Sequence, residues 1–395
     1  MLTKDTKINI PKLRFKEFGG EWEAEKLGSL TAKVGSGSTP RGGEKVYQDH
    51  GVVFIRSQNI NNGQLELVNP TYISEKTNSE MKNTIVRPKD VLLNITGASL
   101  GRSCVVPSDF SIGNVNQHVC IIRVNDNNTP VFIHTYLGSY KGQKSLLQLQ
   151  TGSGREGLNF QGVRALKIYV PGKEEQEKIA GFFTTVDEKI TNLESKKTQF
   201  EKYKQGVMQA IFSQSIRFNK PDGTSYSDWE EEELGKLLDY EQPTKYIVNS
   251  TEYSNNYKTP VLTAGKTFIL GYTDEKNNIF GDLPVIIFDD FTTASQFVTF
   301  PFKVKSSAMK ILKAKKNENV RFIFEAMQQV EYEVGGHGRH WISVFSNMKI
   351  STPSADEQEK IAELLASLDN KFELINKELG KAKEFKKGLL QQMFV

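Results

Sequence analysis

The sequence predicts an α+β protein built as an internal repeat: two modules of mixed strands and helices, and two long helices that pack on each other. Three observations predict it. The stretch EEQEKIAGFFTTVDEKI, which begins at Glu174, returns as DEQEKIAELLASLDNKF from Asp356. Both copies place apolar residues in alternating steps of four and three, the spacing of a helix–helix seam. Elsewhere, short β-branched and aromatic runs alternate with Gly, Asn and Asp, the punctuation of strands and turns.

The chain has 395 residues, enough for two or three domains. Hydrophobic content of 37% and charged content of 25% suit packed cores in water. A formal net charge of +4 permits nucleic-acid binding without requiring it. Cys104 and Cys120 fit neither a zinc site nor a disulfide framework, and read as buried thiols. The first residues lack the apolar run of a signal peptide, and no apolar stretch approaches the ~20 residues of a membrane span. A cytoplasmic protein with no membrane contact is expected.

The repeat holds at an offset of 182 residues without a gap. Glu175 to Ala180 matches Glu357 to Ala362, Asp187 matches Asp369, and Phe212 matches Phe394. The seam of the first copy runs through Ile179, Phe183, Val186, Ile190 and Leu193. That of the second runs through Ile361, Leu365, Leu368, Phe372 and Ile375. Lys204 and Lys386 fall on the continuing seams beside Tyr203 and Phe385, so the apolar stripe is expected to drift onto those aromatics. Pro171 and Pro353 precede the helices. Ser354 and Glu357 suit a capping box, Asp356 suits the first turn, and Gly172 is the corresponding cap of the first copy. A helix of about 40 residues is ~60 Å long and cannot bury its stripe inside one small domain, so the copies are expected to pair.

The repeat extends upstream. Arg14-Phe15, Trp22 and Leu27-Gly28 parallel Arg217-Phe218, Trp229 and Leu234-Gly235. Between these markers and the helices lie the modules. VVFIRSQNI, DVLLNITG and HVCIIRV read as strands of the first, and the stretch from Thr129 to Gln150 as helix. TPVLTAG, LPVIIFDD and FVTFPFKVK read as strands of the second, and NENVRFIFEAMQQVEYEV as helix. The expected division is residues 1–172, a helix over 173–214, residues 215–353, and a helix over 354–395. The helices are alike and the modules are not, which suggests one scaffold displaying two exchangeable surfaces.

With LKIYVPGKEEQEKIA and MKISTPSADEQEKIA, the chain resembles the specificity subunits of type I restriction-modification systems over essentially its full length. GSTPRGG, FIRSQNI, DVLLNITGASLGRSCVV and VNQHVCIIR in the first module add to the resemblance, as do PVLTAGKTFILGY, DLPVIIFDDFTT and GRHW in the second. The resemblance implies that each module is a target-recognition domain reading one half of a split, asymmetric site on double-stranded DNA. It implies that the two helices form an antiparallel coiled coil with pseudo-twofold symmetry, which binds two methyltransferase subunits. Restriction and motor subunits would join through that methyltransferase core. It implies a non-catalytic chain that binds no cofactor itself, with S-adenosylmethionine, ATP and Mg on the partners, and that directs adenine N6-methylation and restriction. The alternative is a coiled-coil scaffold with two protein-binding heads and no role on DNA.

Arg and Lys suit phosphates and guanine edges, and Asn and Gln suit adenine. In the first module the candidates are Arg41 and Lys45 in a Gly-rich loop, Arg56, Gln58 and Asn59 after a strand, Arg102, Asn116, and Arg155 in TGSGREG. Gln117 and His118 follow Asn116, and Gln117 also admits a structural reading. In the second module they are Lys266, then Thr292, Thr293 and Gln296 in FTTASQ, then His337, Arg339 and His340 in GGHGRHW. Arg155 and His337 fall at the repeat offset.

Other motifs lead nowhere. NPTY from Asn69 has Thr71 where an adenine-amino-binding loop needs Pro, and no glycine-rich cofactor loop accompanies it. AGKT from Ala264 lacks the upstream glycine of a phosphate loop, since position 260 is Pro. Asp289-Asp290 reads as a strand-end turn rather than a metal pair, and five histidines without a paired acid and base define no hydrolase site.

Overall fold

Helical period becomes helix where the sequence places it. In a computed structural model that describes residues 9–150, 157–263, 267–330 and 340–395, the long helices run over Lys173–Phe212 and Ala355–Gln392. The chain divides into two units, Met1–Ser195 with Asn376–Val395, and Lys196–Ile375, so each helix contributes to both.

In the first unit, an antiparallel sheet is ordered Thr31–Ser36, Val119–Val124, Val91–Asn94, Ser103–Val105. A second sheet is ordered Thr71–Ile73, Val52–Ile55, Gly113–Val115, Ile85–Val86, with the middle two strands parallel. The second unit repeats this plan. Leu238–Glu241, Met309–Ala314, Val285–Asp289 and Ser295–Val298 form the antiparallel sheet. Ile269–Thr273, Thr259–Leu262 and Lys303–Val304 form the mixed one, its last two strands parallel. Both modules are mixed strands and helices, as the repeat predicts; their residues differ, the antiparallel sheet has the same order in both, and the mixed sheet has four strands in the first unit and three in the second. The strand Met309–Ala314 carries Lys310 buried among apolar neighbours and Lys313 on the opposite face, so its sequence shows no period of two. The helical stretch after Thr129 is two helices, Pro130–Gly138 and Tyr140–Gln148, broken where the Ser139 hydroxyl caps the Gly142 amide at 3.1 Å.

Within each unit the two helix segments run antiparallel. In the first, Asp187 pairs with Lys386 at 2.5 Å and Glu194 with Lys383 at 2.6 Å. In the second, Lys204 pairs with Asp369, the same residues of the repeat with the copies exchanged. These pairs correct the expected drift of the stripe. The seam lysines stay in place opposite an aspartate, while Tyr203 and Phe385 remain 57% and 58% exposed. Ile179 and Phe183 pack with Leu389, Met393 and Phe394 in the first core, and Ile361, Leu365 and Leu368 with Ile211 in the second. Leu193 and Ile375 are buried, and Val186, Ile190 and Phe372 half-buried.

The repeated Glu-Gln pair docks each helix onto its own module. Glu175 receives Arg14 at 2.8 and 2.7 Å, and Glu357 receives Arg217 Nη2 at 2.8 Å and Trp229 Nε1 at 3.3 Å. The Glu357 carboxylate is thus committed to Arg217 rather than to a capping box with Ser354. Gln176 donates to the Pro171 carbonyl and accepts from the Thr129 amide, at 3.0 and 3.1 Å. Gln358 does the same with Pro353 and Asn319, at 3.1 and 2.9 Å. An aromatic triad closes each core: Trp22, Phe132 and Phe394, with centroids 5.6–6.2 Å apart, and Trp229, Phe322 and Phe212, at 5.7–6.3 Å.

Candidate nucleic-acid interface

Sheet register brings several loops of the first unit to one edge. Val115 lies opposite Ile55 in the parallel pair, so Arg56 and Asn116 leave the sheet side by side, with the Asn116 amide bonded to the Ile55 carbonyl. Cys120 lies opposite Ser36, and Val119 opposite Asn94, so the loops after Ser36 and Asn94 leave at the turn that carries Gln117 and His118. Gly37 presses against this turn: a Cβ there would stand 1.5 Å from the Val115 carbonyl oxygen, so only glycine lets the Gly-rich loop pass. That approach places Thr39 against Gln117 and holds exposed Arg41 and Lys45 on the same loop.

The predicted contacts separate at this edge. Arg41, Lys45 and Gln58 are exposed. Arg56 is half-buried, its guanidinium 5.9 Å from the centre of the Tyr47 ring and its Nε buried without a partner. Two candidates are corrected. Asn59 is 5% exposed; it accepts from the Arg56 amide at 2.9 Å and donates to the Glu66 carbonyl at 3.0 Å, which spends it on the turn. Asn116 is 8% exposed, and its Oδ1 accepts the His118 amide at 3.0 Å. Its neighbour Gln117 is exposed instead. Arg102 is exposed but bonds Asn61 at 2.9 Å, beside a cavity of about 490 Å³ lined by His134, Asp187 and Lys386. Burial, with Lys386 nearby, pushes the His134 imidazole down to about 4.

In the second unit, Thr292 and Gln296 are exposed and Thr293 takes a φ of 61°. The Thr292 hydroxyl donates to Asp289 at 2.6 Å, and Asp289 accepts the Phe291 amide at 2.9 Å, which makes this a side-chain-braced turn. Asp290 is 2% exposed, 3.4 Å from buried Lys310, and accepts the Trp341 amide at 2.9 Å. A third candidate is corrected here: His340 is 3% exposed, and its amide is bonded to the Asp290 carbonyl. Arg155, Lys266, His337 and Arg339 lie outside the described residues. Among the described residues no group of His, Cys, Asp and Glu could hold a metal ion, and no helix is long and apolar enough to cross a membrane. Burial pushes the Cys104 and Cys120 thiols up to about 12, as inert core residues require.

What the fold defines is a duplicated α+β protein: one antiparallel strand order used twice, with different polar side chains exposed on each unit. The model of the type I restriction modification DNA specificity domain matches residues 19–202 and again residues 226–384, and the chain belongs to that family. The EcoR124I/EcoR124II specificity subunit of Escherichia coli is 45% identical over 156 residues, which are 37% of this chain and 38% of that protein. That match therefore spans little more than a third of the relative's length. The putative MjaX specificity subunit of Methanocaldococcus jannaschii is 21% identical over 417 aligned positions, covering 97% of this chain and 95% of that one. The S subunit of a type I restriction-modification system from M. genitalium shares the fold, with a TM-score of 0.66 at 17% identity over 98% of this chain and 99% of that one.

Proposed function

We propose that this chain is the DNA specificity subunit of a type I restriction-modification complex, and that each unit reads one half of a bipartite, asymmetric site. The observation that carries the reading is the shared order of the antiparallel sheets with unlike exposed polar residues: Thr39, Arg41 and Gln117 at the edge of the first unit, Thr292 on a turn and Gln296 on the strand Ser295–Val298 of the second. A common plan accounts for a common task, and unlike polar groups account for two different half-sites. Exposed Arg and Lys supply salt-sensitive phosphate contacts, and exposed amides and hydroxyls supply base contacts. The chain contributes no catalytic group. Two methyltransferase subunits, with S-adenosylmethionine, would methylate adenine N6 where the chain positions them. Restriction and motor subunits, using ATP and Mg, would join through that core. The seam residues Ile190 and Phe372, only half-buried, offer apolar surface for a partner.

The test is to co-express the chain with its methyltransferase partner and map methylated adenines across a genome. One split motif is expected; an active complex with no motif refutes the reading. Replacing the second unit by that of a relative should change one half of the motif, and a change in both halves refutes one unit per half-site.

A further inference from the structure

We infer that Gln117 is the base-reading side chain of the first unit, tethered by Thr39 and His118, and that the base it reads is adenine. This rests on the function proposed above and specifies it. The amide lies within a continuous chain of hydrogen bonds. The Thr39 hydroxyl donates to Gln117 Oε1 at 2.8 Å, Gln117 Nε2 lies 3.0 Å from His118 Nε2, and His118 Nδ1 lies 2.6 Å from the Thr96 hydroxyl. Every link is satisfied when Nε2 of His118 accepts from the amide, its ring proton sits on Nδ1 and Thr96 accepts that proton; with the amide turned over, Thr39 and Thr96 exchange their donor and acceptor roles and the His118 proton moves to Nε2. In either arrangement Thr39 and His118 tether the amide at both its oxygen and its nitrogen.

An amide has two acceptor sites on oxygen and two N–H groups. Thr39 uses one of the first and His118 one of the second, which leaves one acceptor and one donor on an exposed side chain. That pair matches the N6 donor and N7 acceptor of adenine in the major groove. The surroundings suit the role. Arg41 and Lys45 stand exposed on the loop that carries Thr39, where phosphate contacts would set the register. Arg56, which leaves the sheet beside Asn116, keeps a buried Nε without a partner. Tethering matters because it holds the amide group in place, so that less side-chain freedom is lost when it meets a base.

The experiment uses the full chain in complex with its methyltransferase partner. Methylation rates are compared on duplexes carrying each base pair at every position of the motif. Gln117→Ala should reduce discrimination at a single base pair of one half-site by about 5- to 150-fold, the range for loss of one bidentate contact. The other half-site should be unaffected. Gln117→Glu, an acceptor without a donor, should shift preference at that pair from adenine towards cytosine. Thr39→Val, which frees the amide without removing it, should weaken discrimination at the same pair and nowhere else. Unchanged discrimination with Gln117→Ala overturns the inference. So does an equal loss of rate on all sequences, the signature of a phosphate contact. A wild-type complex that recognises no split motif refutes the proposed function instead, so the two failures are distinct.

Discussion

Glu357→Gln should destabilise the second unit by about 2–3 kcal/mol. The carboxylate is fully buried, 0% exposed, and its partner Arg217 is 22% exposed. Removing one member of a buried pair costs roughly 3–5 kcal/mol, because the other is left desolvated without its counter-charge. Here Arg217 keeps a bond to the Ser227 carbonyl at 2.6 Å and stands 3.6 Å from Asp228, and its residual exposure screens the loss, which lowers the figure. Trp229 also loses a charged acceptor for its indole N–H. Urea unfolding followed by tryptophan fluorescence measures the effect. With an m-value of about 2–3 kcal/mol/M, the midpoint should fall by roughly 1 M. The decisive quantity is the coupling energy of a double-mutant cycle with Arg217→Met, expected at about 1–2 kcal/mol. A coupling below about 0.5 kcal/mol would refute the argument that this pair docks the helix, and the repeated Glu-Gln motif would need another explanation.

Phe394→Ala should cost the first unit about 3–5 kcal/mol, since the ring is 1% exposed and packs against Trp22, Phe132 and Phe183; thermal denaturation checks this. Ile375→Asp should cost several kcal/mol, because Ile375 is 6% exposed, whereas Ile190→Asp should cost less at its half-buried site; equal losses would contradict the burial difference. The depressed pKa of His134, about 4 against 6.5, means that the unfolded chain binds more protons between those values. The contribution of the neutral ring is complete above pH 6.5 and is lost as pH falls towards 4, by about 2–3 kcal/mol after allowance for partial exposure. Unfolding titrations at pH 7, 5.5 and 4 should show that slope in the wild type and a flatter one in His134→Gln.

The long helices were legible because their information is local: a period of four and three, and a proline before each start. The shared topology of the modules was not, because strand order lies in pairings such as Cys120 with Ser36 or Ile311 with Ile287, which no window of sequence contains. The site was legible in kind and misplaced in detail. Asn59, Asn116 and His340 are candidates by residue type, yet all three are buried; the side chains of Asn59 and Asn116 bond backbone groups of their turns, and His340 starts a short helix. Gln117 sits one residue from Asn116 and faces outward, a distinction made by the turn and not by residue type. Glu175 stands out in the sequence only as part of the repeat, and Glu357 as a capping-box residue. Their partners lie 161 and 140 residues away, and the only available signal was that an Arg-Phe pair repeats alongside the Glu-Gln pair.

The aromatic triads bear on the order of synthesis. The second unit occupies one uninterrupted span, Lys196–Ile375, and Phe212 is already present when Trp229 and Phe322 leave the ribosome. The first unit needs Leu389, Met393 and Phe394 to cover Trp22 and Phe132. Translation therefore delivers the beginning of the first unit long before its last wall, and the unit started earlier is completed later. Until then Trp22 and Phe183 lack the cover that Phe394 gives them, and exposed apolar surface of this kind invites aggregation and chaperone binding.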